Sequence, residues 1–165
     1  MTDKPDNRPT PDQADPDQAD PEQDDRGQSA LETPEQAASA FYTAFAARNL
    51  EAMMAVWSDA EDVTCIHPLA YRIQGSRAVR LSWEQIFRDA PPLRFQNNAE
   101  QLTTTGDLAV QTLHEIIVVE GESSPHPAII ATNVFRRDPA GWRIILHHAG
   151  PLPDAQEGQS GRRLH

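Results

Sequence analysis

Residues 131–151 read ATNVFRRDPAGWRIILHHAGP. Two segments rich in β-branched and aromatic residues flank Asp138-Pro-Ala-Gly141, a cluster of turn-forming residues. So short a connection joins antiparallel neighbours, which makes this stretch the last hairpin of a sheet. Setting Arg136 opposite Trp142 across the turn puts Asn133 opposite Ile145, on the face that also carries His147. His148 then points to the other face, because successive strand residues alternate, and a slip of one residue would exchange the two histidines.

Upstream the same pattern continues. Strands are expected at about 94–103, 108–120, 128–137 and 142–149, separated by Thr105-Gly106-Asp107, residues 121–127 and the Asp138 turn. Before residue 93 the period is helical. Thr33-Pro34-Glu35-Gln36 supplies an N-cap, a proline at the first helical position and a Gln that closes a capping box. Ala37, Ala40, Phe41, Ala44 and Phe45 mark the buried face that follows. Asn49 caps a second helix bearing Leu50, Met53, Met54 and Trp57, and a third begins at Gly75-Ser76 with Val79, Trp83, Ile86 and Phe87 on one stripe. Short extended pieces are expected at 63–67 and 71–74. Helices first and an antiparallel meander afterwards define an α+β fold, three N-terminal helices packed on one face of a curved, mainly antiparallel sheet. Ile116-Ile117-Val118-Val119, Ile129-Ile130 and Ile144-Ile145-Leu146 carry apolar groups at both parities. Both sheet faces therefore need cover, and a second copy on the outer face, a twofold homodimer, supplies it.

Composition divides the chain. Of its 165 residues and formal charge of −11, residues 1–29 hold a net −6, while residues 33–151 carry only −4. Three copies of a five-residue repeat, PDQAD, PDQAD and PEQDD, occupy 11–25, and no aromatic or branched apolar side chain precedes Leu31. Such a segment cannot offset the ordering entropy of roughly 1–2 kcal/mol per residue. The expected organisation is a disordered acidic tail over 1–30, one domain over 31–152 and a flexible C-terminal tail over 153–165. Nucleic acid is not an expected partner, since Lys4 is the only lysine and no basic cluster exists. The same acidity argues against an anionic membrane surface, and no apolar run is long enough to span a bilayer. A single cysteine, Cys65, excludes an intramolecular disulfide, and the polar first residues hold no export signal, so a cytoplasmic setting is expected.

Leu50-Glu-Ala-Met-Met-Ala-Val-Trp57, Val63-Thr-Cys-Ile-His-Pro68, Gly75 with the Trp83 helix, Ala131 to Arg137 and Gly141 to Pro151 occur in an order that resembles bacterial members of the NTF2-like superfamily, nearest its SnoaL-like branch. The resemblance spans residues 33–151. It implies a cone-shaped fold with a hydrophobic pocket between helices and concave sheet. The superfamily hosts ketosteroid isomerases, polyketide cyclases, dehydratases, epoxide hydrolases and non-catalytic assembly domains, so fold alone does not choose among them. The branch's last strand commonly ends His-His-Ala-Ser-Pro, whereas Gly150 stands at the serine position here. No acid-base pair of the characterised enzymes maps onto this chain.

The residues themselves suggest candidates. His67, just before Pro68, and His147 are the groups to test for acid-base catalysis, because imidazole titrates near neutrality. His114 and Glu115 pose an either-or question on the longest strand. The one facing the cavity is a pocket residue, and a carboxylate there would have its pKa raised. The simpler role for Glu115 is a ladder partner of Arg136 or Arg143. Trp57, Tyr71, Trp83 and Phe95 are candidate apolar walls, Asn133 and His148 candidate polar members, and Arg72 a surface residue. No metal site is expected, because His147 and His148 face apart and no chelating spacing occurs. Cys65 lies in an apolar strand without a sign of activation. The expected function is binding of a small apolar or aromatic molecule, with cofactor-free isomerase, cyclase or dehydratase chemistry. The alternative is a non-enzymatic dimeric binding or assembly module.

Overall fold

The chain enters the fold through a capping box. In a computed structural model, which describes residues 30–122 and 126–152, Thr33 Oγ1 accepts from the Gln36 backbone N–H at 3.2 Å and Gln36 Oε1 accepts from the Thr33 N–H at 3.3 Å. Helix α1 (Pro34–Ala47) follows and ends at Arg48, which adopts a left-handed conformation with φ 51°. Asn49 then caps α2 (Leu50–Val56) by accepting from the Ala52 N–H at 3.0 Å. After β1 (Thr64–Ile66) and β2 (Ile73–Gln74), α3 (Ser76–Asp89) buries Val79, Trp83 and Phe87. The remaining strands are β3 (Leu93–Phe95), β4 (Asn98–Thr105), β5 (Leu108–Glu115), β6 (Ile117–Val119), β7 (Ile129–Asp138) and β8 (Gly141–Pro151). The tails expected over 1–30 and 153–165 lie outside the described residues, save residue 30 itself. Among the described residues no helix is long and apolar enough to cross a membrane.

The main sheet runs β2-β1-β8-β7-β5-β4, antiparallel except for the parallel β1–β8 pair, with β3 and β6 forming a separate two-stranded sheet. Two expected strands are therefore each split. The 94–103 strand breaks between Phe95 and Asn98, and the 108–120 strand breaks at Ile116, whose carbonyl accepts from the Gln96 N–H at 2.9 Å. The breaks let the sheet curl over the helices, and they move Ile117–Val119 into the small sheet.

The register of the last hairpin differs from the expected one. Arg137, not Arg136, opposes Trp142, and a bulge between Val134 and Phe135 leaves Ile145 without a partner on β7. A bulge adds one residue to one strand and so reverses parity beyond it. Trp142 and Ile144 face the core before it, His147 and Ala149 after it, and Asn133 comes directly opposite His147. The both-parity apolar pattern of β8 thus has a bulge among its causes.

Under the sheet, Phe41 and Phe45 of α1 meet Trp83 of α3 edge-on at 5.6 and 4.8 Å, and Phe87 completes the cluster 5.6 Å from Trp83. A large buried ring of this kind contributes roughly 3 kcal/mol or more of transfer free energy. That offsets the indole N–H of Trp83, which is buried without a hydrogen-bond partner among the described residues.

Leu31 pairs with β8 beside the turn of the hairpin. Its carbonyl accepts from the Trp142 N–H at 2.7 Å, and the approach is possible because residue 141 is glycine at φ 113°. A Cβ there would lie 2.7 Å from the Leu31 carbonyl oxygen. Gly141→Ala is expected to lower unfolding free energy by roughly 2–4 kcal/mol, from backbone strain plus displacement of Leu31. Gly106→Ala, with φ 58° but open space around it, should cost only about 1 kcal/mol. Urea titration of both variants measures the difference.

Candidate functional site

The inner face of the sheet carries a row of polar side chains where an apolar lining would be simplest. On β5 the inward parity is set by Ala109 and Leu113, which places Gln111 and Glu115 inside with them. Gln111 pairs across to Asn133, and Asn133 to His147, so three polar residues from three strands stand side by side. Gln111, Asn133, His147 and Glu115 are all buried. Buried polar groups must find partners inside the protein, and these do. The His147 imidazole contacts Asn133 Oδ1 through Nδ1 at 2.7 Å. Asn133 Nδ2 donates to Gln111 Oε1 at 2.8 Å and to the Tyr42 hydroxyl oxygen at 3.2 Å. Gln111 Nε2 donates to Glu100 Oε1 at 2.6 Å, and the Tyr42 hydroxyl donates to Glu115 Oε1 at 2.7 Å.

The Gln111–Glu100 end of this row and its Tyr42 branch open towards a cleft of about 750 Å³ between α1 and the β3, β4 and β5 strands, while the His147 end is closed. Tyr42, Gln111 and Glu100 line it, with Phe95 as the facing aromatic wall and Glu35 and Arg94 as charged lining residues. The Tyr42 and Phe95 rings pack at 5.2 Å. Glu115 stands behind Tyr42. Burial raises its pKa to about 7, partly countered by the hydrogen bond from Tyr42. Burial, with the Glu115 charge adding, pushes the Tyr42 phenol far above its ordinary value, so it stays protonated.

His67 and His147, expected as catalytic groups, lie on the other side of the core. His67 packs edge-on against Trp83 at 4.9 Å, its Nε2 lies 3.2 Å from Ser82 Oγ, and burial lowers its pKa. Since Ser82 Oγ itself donates to the Val79 carbonyl at 2.8 Å, the His67 Nε2–H is the donor to it. His147 is fully enclosed between Phe41 and Trp83, and burial, with His67 and His148 adding, lowers its pKa to about 3. Neither lines the cleft. The 6.4 Å between their rings makes them neighbours, but both are neutral and held by protein partners.

The other expectations divide. Asn133 lies inside, at the centre of the network. Trp57 and Trp83 are core residues, Trp57 bridging to Ile144. Phe95 lines the cleft as an apolar wall. Trp57 and Trp83, expected to wall the pocket, do not line the cleft because both are buried in the core, and geometry corrects three further pocket assignments. Tyr71 is 96% exposed, because β2 begins only at Ile73 and leaves it in the irregular segment before that strand. His114 faces outward, since Leu113 and Glu115 occupy the inward parity of β5. His148 is exposed on the outer face opposite Thr132. Glu115 is no ladder partner either, because Arg136 is held by Asp62 at 2.8 and 3.2 Å on the outside. Tyr42, Gln111 and Glu100 were not singled out from the sequence. The usable signal was parity: Ala109 and Leu113 choose the inward set of β5, and Tyr42 follows Phe41 on the buried side of α1. Cys65 is buried, its thiol pKa pushed up to about 12 by burial, and among the described residues no three His, Cys, Asp or Glu side chains are arranged to hold a metal ion.

Comparison with known proteins agrees with this architecture. A family model described as the SnoaL-like domain matches residues 35–154. A Thiobacillus denitrificans structure named for a calcium/calmodulin-dependent protein kinase type II association domain is 45% identical, with a TM-score of 0.72 over 74% of this chain and 98% of that one. A Streptomyces avermitilis structure named as a dehydratase of the NTF2-like family is 31% identical, with a TM-score of 0.65 over 72% and 92% of the two chains. A Parabacteroides distasonis structure named as a ketosteroid isomerase, 22% identical at a TM-score of 0.63 over 77% and 98% of the two chains, shares the fold. Among curated proteins, the F-box protein SKIP8 of Arabidopsis thaliana is 29% identical over 112 residues, 68% of this chain and 46% of that protein, so the chain spans about half the length of this relative. With its three helices on a curved sheet and a family match over most of its length, the chain belongs to the SnoaL-like family of the NTF2-like fold.

Proposed function

We propose that the cleft beside α1 binds a small, partly apolar molecule and that Tyr42 and Glu115 exchange a proton with it, without a cofactor. The observation that carries this reading is the 2.7 Å hydrogen bond from a cleft-lining phenol to a buried carboxyl group whose pKa is raised to about 7. A group poised near neutral pH serves as base and acid in turn. The Tyr42 oxygen takes a proton from the bound molecule while its own proton passes to Glu115 Oε1, and the reverse step returns it elsewhere on the molecule. That sequence suits isomerisation, cyclisation or dehydration next to a carbonyl. The wall of Phe95 and the Tyr42 ring favours a flat apolar body. The dehydratase name of the 31% identical structure supports the reading.

A second reading is favoured by the association-domain name of the 45% identical structure. Leu108, Val110 and Ile130 are 47%, 42% and 45% exposed on the outer sheet face, where a second copy would cover them. In this reading the chain is a homodimeric binding or assembly module.

Native mass spectrometry of freshly purified protein should show a small-molecule adduct that Ala46→Trp, which fills the cleft, abolishes. Absence of any adduct, or its persistence in the variant, would sink the binding reading. Glu115 gives a pH test. Its folded pKa is raised from an ordinary 4.5 to about 7, so the stability it contributes is full below 4.5 and is lost as pH rises through 7, by up to about 3 kcal/mol. Glu115→Gln should flatten that decline in urea titrations across this range and leave the variant relatively more stable on the alkaline side. For the second reading, Ile130→Glu should convert a dimer to a monomer in sedimentation velocity at micromolar concentration. A wild-type monomer overturns that reading.

A further inference from the structure

A buried carboxamide has two orientations related by a flip that exchanges its acceptor for its donors, and only its neighbours decide between them. Asn133 is fully buried, with His147 on one side and Gln111 and Tyr42 on the other. With Oδ1 towards His147, every contact pairs a donor with an acceptor. The His147 Nδ1–H donates to Asn133, Asn133 Nδ2 donates to Gln111 and Tyr42, Gln111 Nε2 donates to the Glu100 carboxylate, and Tyr42 donates to Glu115.

Flipping Asn133 would put Oδ1 against Gln111 Oε1. Gln111 would have to flip as well, and its carbonyl would then meet the Glu100 carboxylate, acceptor against acceptor. The Tyr42 proton would also face two acceptors, Asn133 Oδ1 and Glu115 Oε1, and could serve one. The observed direction is thus held from both ends, by the imidazole at His147 and by the carboxylate at Glu100. The titratable groups around the row are Tyr42 from α1, Glu100 from β4, Glu115 from β5 and His147 from β8, with His67 beside His147.

We propose that His147 and Asn133 are positioning residues for the cleft: the Nδ1–H of His147 holds the Asn133 carboxamide with its amide group towards Tyr42, which commits the Tyr42 proton to Glu115 and leaves the Tyr42 oxygen as an acceptor for the bound molecule. The consequence for the ligand is that it must present a donor to Tyr42. This rests on the reading of Tyr42 and Glu115 as the proton-exchanging pair, but its test uses ligand-free protein, so the two can fail separately.

Nitrogen-15 NMR of the histidine rings should show His147 neutral and protonated at Nδ1 over roughly pH 5 to 8, at the acidic end of which an exposed imidazole would be mostly charged. Carbon-13 titration of the Glu115 carboxyl group should then shift its midpoint upward by about one pH unit in His147→Phe, because a carboxylate that loses its donor is harder to ionise. His147→Gln, which restores an N–H donor, should bring the midpoint back towards that of the wild type. A residue that merely fills space would alter stability in His147→Phe and leave the Glu115 midpoint where it was, and that result overturns the proposal. An Nε2–H tautomer in the wild-type protein overturns it as well, and this measurement decides the matter alone should His147→Phe fail to fold.

Discussion

Asn133 is the residue whose needs organise the interior. A fully buried carboxamide left without partners costs several kcal/mol, and this one sits mid-sheet, flanked by strands on both sides. It is satisfied only because β5 and β8 each offer a polar side chain at the same level, and because α1 brings a tyrosine down onto it. The inward Gln111, the bulge in β8 and the placement of Tyr42 are conditions for that one amide to be buried. The aromatic cluster of Phe41, Phe45 and Trp83 supplies apolar burial but has many equivalent packings. The polar row has few, so it specifies how α1 and the sheet are set against each other.

Burial also fixes the charge of that row. His147 stays neutral down to about pH 3 and Glu115 stays mostly protonated up to about pH 7. Between those limits the row places no net charge in the core, and the only carboxylate it reaches is Glu100, at the exposed end where water shares the cost. Folding keeps both groups neutral where the unfolded chain would charge them, so stability is lost through His147 as pH falls from 6.5 towards 3 and through Glu115 as pH rises from 4.5 towards 7. Their contributions to stability therefore slope in opposite directions where the ranges overlap.

Much of the architecture was legible in local chemistry. The capping box at Thr33, the cap at Asn49, the helical stripe through Val79, Trp83 and Phe87 and the turn at Asp138 are each short-range devices, and each appears where the residues predict it. What was not legible depends on contacts distant in sequence. The split at Ile116 is made by pairing with β3, and nothing local in a run of Ile and Val announces it. The site was harder still. Histidines drew attention because imidazole titrates near neutral pH, yet burial has removed that property from His147, while the same burial has conferred it on Glu115. Which carboxyl or imidazole titrates near neutral pH is set by its surroundings, and residue type alone does not show it. Asn133 was placed on the correct face with His147 although the register assumed for the hairpin was off by one at its turn, because an odd register and an odd bulge cancel.

Ile145 does not line the cleft; it packs at the margin of the core cluster and has no partner on β7. It works as a spacer. The two histidines of β8 are adjacent in sequence but live in unlike media, one anhydrous and one hydrated, and the single extra residue decides which of them is which. A length change of one residue between Ile144 and His147 would exchange them without altering either histidine. For this fold, then, insertions and deletions in the last strand are chemical events, and relatives that carry the same His-His pair share the same interior only if they also share the bulge.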